Sequence, residues 1–170
     1  QDQGVVIDVA AHVGTLFAVV LFFWSDVRAA FVGLGRLLRG KVDTQGAFLA
    51  LCLVVATVPV VILGAVFKVT GLADALRSVP LLGWTMLGFG LLLYWADKRA
   101  VANKTAARWS LKDAAVLGIW QAIALIPGTS RSGITITGAL VQGYTRADAA
   151  KIAMLMSIPT ILASGSLAAL

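Results

Sequence analysis

The sequence predicts an all-α, polytopic membrane protein. Three observations predict it. Hydrophobic residues make up 59% of the 170 positions, and charged residues only 13%, where a globular domain carries about 25%. The mean hydropathy is +0.92. The apolar residues fall into long blocks, the pattern of membrane helices. A soluble domain of this size exposes much of its surface and has no room to hide so much apolar area. Most cytosolic enzymes and nucleic-acid-binding domains are therefore excluded, and no nucleic-acid partner is expected.

The first apolar block runs from Val5 to Trp24, about the length that crosses a bilayer core. Asp8 and His12 lie four residues apart within it, on one helical face. They read as a mutually satisfied pair, with a proton relay as the alternative. A basic loop follows, Ser25 to Gly46. Its first half places Val27, Ala30, Phe31, Leu34, Leu37 and Leu38 at helical spacing, which predicts a helix along the membrane surface. The second block, Ala47 to Phe67, holds Pro59 and Gly64, both tolerated in a membrane helix. A short connection, Lys68 to Pro80, leads to the third block, Leu81 to Ala96. A second basic loop runs from Asp97 to Asp113. A final block, Ile152 to Leu170, contains Pro159. Trp24, Trp95 and Trp109 read as interface anchors. Asp148 is expected to form an interfacial ion pair with Arg146 or Lys151. The count is about four spanning helices.

The net charge of +6 reflects 14 Lys and Arg against 8 acidic residues, all of them Asp. Four basic residues fall in the first loop, two in the connection and five in the second loop. The positive-inside rule puts the two richer loops in the cytoplasm. The single Cys52 and single His12 exclude a disulfide framework and any site needing two histidines from this chain.

Residues 114–143 break the pattern. Ala114 to Ile126 is apolar but only 13 residues long, too short to span. Pro127 and Gly128 stop it, a polar run from Thr129 to Gly133 follows, and Ile134 to Val141 is apolar again. Two short apolar halves around a polar break predict a re-entrant helix–loop–helix, since irregular backbone at membrane depth must line protein or a wet cavity. The break carries Arg131, and an intramembrane Arg marks a functional site by default. Its planar fork suits a pair of phosphate oxygens. Ser130, Ser132 and Thr135 offer hydroxyls, and Gly128 and Gly133 allow backbone amides to approach an anion. A helix starting near Ser132 would aim its amino end at the same point. The simpler alternative is that Arg131 pairs with one carboxylate.

The stretch Gln121-Ala-Ile-Ala-Leu-Ile-Pro-Gly-Thr-Ser-Arg-Ser-Gly-Ile-Thr resembles the second signature of the undecaprenyl pyrophosphate phosphatases, the bacitracin-resistance family. That signature, Pro-Gly-x-Ser-Arg-Ser-x-x-Thr, is matched by Pro127, Gly128, Ser130, Arg131, Ser132 and Thr135. His12-Val-Gly-Thr-Leu-Phe-Ala-Val-Val, Val58 to Gly64 and Arg146 to Pro159 extend the similarity. The resemblance implies an inverted-repeat fold in the bacterial cytoplasmic (inner) membrane. It implies hydrolysis of undecaprenyl pyrophosphate to the monophosphate lipid carrier of cell-wall synthesis. Arg131, Ser130 and Thr135 become the expected catalytic residues; Gly128, Thr129, Ser132, Gly133 and Gln121 the expected substrate-binding ones. A divalent metal, Mg or Ca, is implied, with its Glu ligands expected upstream of this chain, and a homodimer is compatible with this reading. The chain is expected to be a single transmembrane domain, 1–170, cut at both ends from a longer protein and inactive alone. The rival expectation is a broken-helix transporter or carrier of an anionic or phospholipid-like substrate.

Overall fold

A computed structural model describes the backbone of residues 3–72, 76 and 78–169, and the side chains of 13–72, 76 and 78–164. The expected Asp8–His12 pair therefore lies outside the described side chains, as do Asp74 and Arg77. Among the described residues seven α-helices follow in order: α1 (Gln3–Phe22), α2 (Trp24–Leu37), α3 (Gln45–Thr70), α4 (Val79–Arg99), α5 (Leu111–Ala122), α6 (Arg131–Val141) and α7 (Arg146–Ala169). The chain is an all-α, polytopic membrane protein. Among the described residues α3, α4 and α7 are long and apolar enough to cross a membrane, and the α1–α2 pair makes a fourth if it counts as one span.

The surface-helix reading of 27–38 corresponds to α2. The chain bends by 94° between Val13–Phe22 and Trp24–Leu37, so α2 is a separate helix. It packs closely against the start of α3, where a side chain on Gly33 would overlap the Gly46 backbone and one on Gly46 the carbonyl of Ala29. Arg36 donates two hydrogen bonds to Asp43 at 2.8 and 2.7 Å, tying the α2–α3 turn.

Local chemistry fixes the helix ends. Thr44, Ser78 and Ser130 each accept a backbone N–H at the starts of α3, α4 and α6. Ser110 and Asp113 form a reciprocal capping box on α5. Small residues set the spacing between helices. Gly118 of α5 sits against the Ala56 carbonyl and Pro59 of α3, and Gly138 of α6 against the Trp120 ring of α5. Such close approach is the usual basis of helix association in membranes. The buried core joins Cys52, Leu53, Ala56, Leu117, Leu140, Tyr144, Ile152 and Met156.

Two expectations are corrected. Trp109 is only 6% exposed and belongs to this core, so it is not an interface anchor. The turn Ala106–Arg108 folds its ring inward. Trp24 and Trp95 remain exposed, and Trp95 stacks with Arg99, whose guanidinium lies 5.2 Å from the ring centre. Among the described residues Asp148 forms no ion pair. Arg146 pairs with Asp97 and Lys151 with Asp26. Asp148 instead accepts the Thr145 hydroxyl and donates its backbone N–H back to it, capping the first turn of α7.

Candidate functional site at the hairpin tip

Helices α5 and α6 form a hairpin whose two feet lie side by side. The amide of Lys104 donates to the Gly143 carbonyl and that of Thr145 to the Lys104 carbonyl, a single parallel bridge between Lys104 and Tyr144. Side chains reinforce it. Lys104 pairs with Asp113, and the fully buried Tyr144 donates its hydroxyl to the same carboxylate at 2.8 Å. Burial pushes the Asp113 carboxyl up, but hydrogen bonds from Lys104, Tyr144 and Ser110 outweigh it and hold it below the ordinary carboxylate range. Burial, and then the neighbouring Asp113, push the Tyr144 phenol far above its ordinary value.

The tip lies at the other end of the hairpin. After Ala122 the chain tightens into a short 3-10 turn, Ile123–Leu125, and Pro127 and Gly128 turn it back. Gly128 has φ +89°, and a side chain there would overlap Thr85 and the Leu82 carbonyl of α4. The Thr85 hydroxyl donates to the Pro127 carbonyl at 2.7 Å. This glycine seats the tip on α4. The feet meet α4 at Asp97 and the tip meets it at Thr85, a separation of about 18 Å at the helical rise of 1.5 Å per residue. The tip thus lies toward the α4 end that follows the connection with only two basic residues.

The expected site residues gather within this tip, in different roles. Ser130 is exposed and caps α6, accepting the Gly133 amide at 3.2 Å. Its oxygen lies 3.4 Å from that of Ser132. The absence of a side chain on Gly133 makes room for this cap. The first-turn amides of Arg131 and Ser132 donate to no group among the described residues. The Thr129 hydroxyl is buried without a partner. Thr135 is only 1% exposed and donates to the Arg131 carbonyl, so its proton is engaged inside α6. Gln121 is fully buried and donates to Thr160 of α7 at 2.9 Å.

Arg131 differs from the other half-buried charges among the described residues. It is half-buried and lines a cavity of about 180 Å³ with Val60, Gly64, Leu125, Thr160 and Ser164. Among the described residues no carboxylate pairs with it, and it donates no side-chain hydrogen bond. The other half-buried charges, Asp26, Asp97, Lys104, Asp113, Asp148 and Lys151, all have partners. The simpler alternative, an Arg satisfied by one carboxylate, is not what the described residues form. Among them no three His, Cys, Asp or Glu side chains cluster as a metal would require. These residues do not fit a divalent metal by themselves.

A family model described as bacitracin resistance protein BacA matches residues 1–170. The chain belongs to the BacA family. It is 66% identical over 98% of its length to an undecaprenyl-diphosphatase of Dinoroseobacter shibae. It is 65% identical over 97% to one of Roseobacter denitrificans, and 46% identical over 97% to one of Saccharophagus degradans. In each case it spans 62% of the relative's length.

The fold also places around the hairpin residues that the sequence reading missed. Thr85 holds the tip, Thr160 and Ser164 line the cavity that Arg131 lines, and Lys104, Asp113 and Tyr144 hold the feet together. Thr85 and Thr160 are hydroxyls inside apolar blocks with no local motif around them, and Tyr144 sits in a loop. Only the folded chain brings each to its partner.

Proposed function

We propose that this chain is the part of a membrane phosphatase that grips the diphosphate of undecaprenyl pyrophosphate. The observation that carries the reading is Arg131, a half-buried cation at the amino end of α6 with no partner among the described residues. A guanidinium removed from water binds phosphate oxygens strongly and in pairs. The free amides of Arg131 and Ser132 add the positive end of the helix dipole. The Thr129, Ser130 and Ser132 hydroxyls complete a set of donors that suits an anion.

In this reading the α5–α6 hairpin re-enters the membrane from the cytoplasmic side of the bacterial inner membrane, and its tip opens to a cavity nearer the outer face. Water attacks the terminal phosphorus, the bond to the bridging oxygen breaks, and the products are the lipid monophosphate and inorganic phosphate. Arg131 and the α6 amides stabilise the charge that spreads over the phosphoryl oxygens. Ser130 and Ser132 orient them, and Thr135 holds the first turn of α6. A divalent cation, Mg or Ca, joins the proposal only through ligands outside the described residues, as does the group that activates water. The product returns as the lipid carrier for cell-wall synthesis. Pairing of two copies in the membrane belongs to the same proposal, and cross-linking in native membranes would read it.

The test uses the full-length protein in nanodiscs. Arg131→Ala should abolish phosphate release from undecaprenyl pyrophosphate while the protein still inserts, and Arg131→Lys should recover only a small part. Full turnover by Arg131→Ala, or lipid transport across the bilayer with no phosphate released, would overturn the reading.

A further inference from the structure

Gln121 leaves a polar atom unaccounted for. Its amide nitrogen donates to Thr160, but its carbonyl oxygen is buried with no partner. An unpaired buried acceptor is costly, more so in a helix bundle within lipid. The Thr160 hydroxyl donates in turn to the Met156 carbonyl at 2.9 Å and is itself only 6% exposed. Two neutral polar side chains are thus held inside an apolar bundle without fully satisfying each other.

Their position gives them a use. Thr160 lines the same cavity as Arg131, one turn before Ser164 on α7. The part of the lining that α3 supplies, Val60, Val61 and Gly64, is apolar. The cavity therefore has a polar side and an oily side. That matches the junction of a prenyl diphosphate, where a charged headgroup meets the first hydrocarbon unit. Donation from Gln121 occupies a lone pair of the Thr160 oxygen. The hydroxyl proton can then exchange the Met156 carbonyl for a phosphate oxygen at little cost, because a charged acceptor is the stronger one.

We propose that Thr160, steered by Gln121, is a second binding contact for the headgroup held by Arg131, with Gln121 as its positioning residue. The inference rests on the phosphatase reading above.

The test again uses the full-length protein in nanodiscs, with farnesyl diphosphate for turnover and inorganic pyrophosphate for binding. Thr160→Val keeps the shape and removes the hydroxyl. It should raise KM and weaken pyrophosphate affinity on the order of tenfold, with kcat within about twofold. Thr160→Ser should stay near wild type, and Gln121→Leu should follow Thr160→Val. Wild-type KM and affinity in Thr160→Val would overturn the inference, as would equal impairment in Thr160→Ser, which would make the effect one of packing. Failure of the phosphatase reading is distinguishable. There the wild-type protein would release no phosphate, and the contact would be judged on pyrophosphate affinity alone.

Discussion

The two ends of the α5–α6 hairpin treat charge in opposite ways. At the feet every described half-buried charge is answered: Lys104 by Asp113, Lys151 by Asp26, Asp97 by Arg146, and Asp148 by the Thr145 hydroxyl. Among the described residues the buried polar atoms left unpaired there are neutral, the Gln142 amide and the Trp109 ring N–H. At the tip the one half-buried charge, Arg131, has no answer among the described residues. In the proposed reading, a fold that pairs its charges at one end and leaves a guanidinium open at the other divides scaffold from binding site. Pairing holds the hairpin closed, and the unpaired cation is free for an anion.

That contrast is broken most severely at Arg131. In the full-length protein Arg131→Ala should lower phosphate release by about 10²–10³-fold or more with no change in thermal midpoint, because the residue holds nothing else in place. Next comes Gly128→Ala. Its φ of +89° and its closeness to the Leu82 backbone leave no room for a methyl, so the tip should lift from α4. Stability should fall by about 1–3 kcal/mol, and turnover should fall with it.

The feet should show the reverse pattern. Tyr144→Phe deletes one buried hydrogen bond to Asp113 and should cost about 1–3 kcal/mol in a thermal or denaturant melt, with turnover at permissive temperature within about twofold. Acid should do the same without mutation. The folded state holds the Asp113 carboxyl below its ordinary range, so its contribution to stability is present above the unfolded-state value. It is lost as pH falls through the lowered one. An Asp113→Asn variant should lack that acid transition. The smallest effect belongs to Ser130→Ala, which removes the α6 cap at about 1 kcal/mol. Ser130→Thr should restore the cap.

Much of this was legible in the chain itself. The apolar blocks, the two basic loops and the break at Thr129–Gly133 follow from composition and period, and they correspond to α3, α4, α7 and the hairpin. The signature around Arg131 is local, so its residues could be named before the fold. What stayed hidden depends on partners far apart in sequence. Trp109 looks like an anchor because it adjoins a basic loop, yet the turn before it folds it into the core. Asp148 looks like an ion-pair partner because two cations lie within three residues, yet each of those reaches a different helix. Gly128 reads as a place for an anion to approach; the fold uses it to seat the tip on α4. Thr135 reads as a donor to substrate; in the fold its hydroxyl rests on the Arg131 carbonyl, a bond set by the helical spacing of the two residues.

One measurement addresses the division of charge directly: the affinity of the full-length protein in nanodiscs for inorganic pyrophosphate, compared across wild type, Arg131→Ala and Lys104→Ala. Two cations are then removed in turn, one open and one paired. Arg131→Ala should lose binding by at least about tenfold, and Lys104→Ala should keep it. Unchanged affinity in Arg131→Ala, or an equal loss in both, would contradict the account.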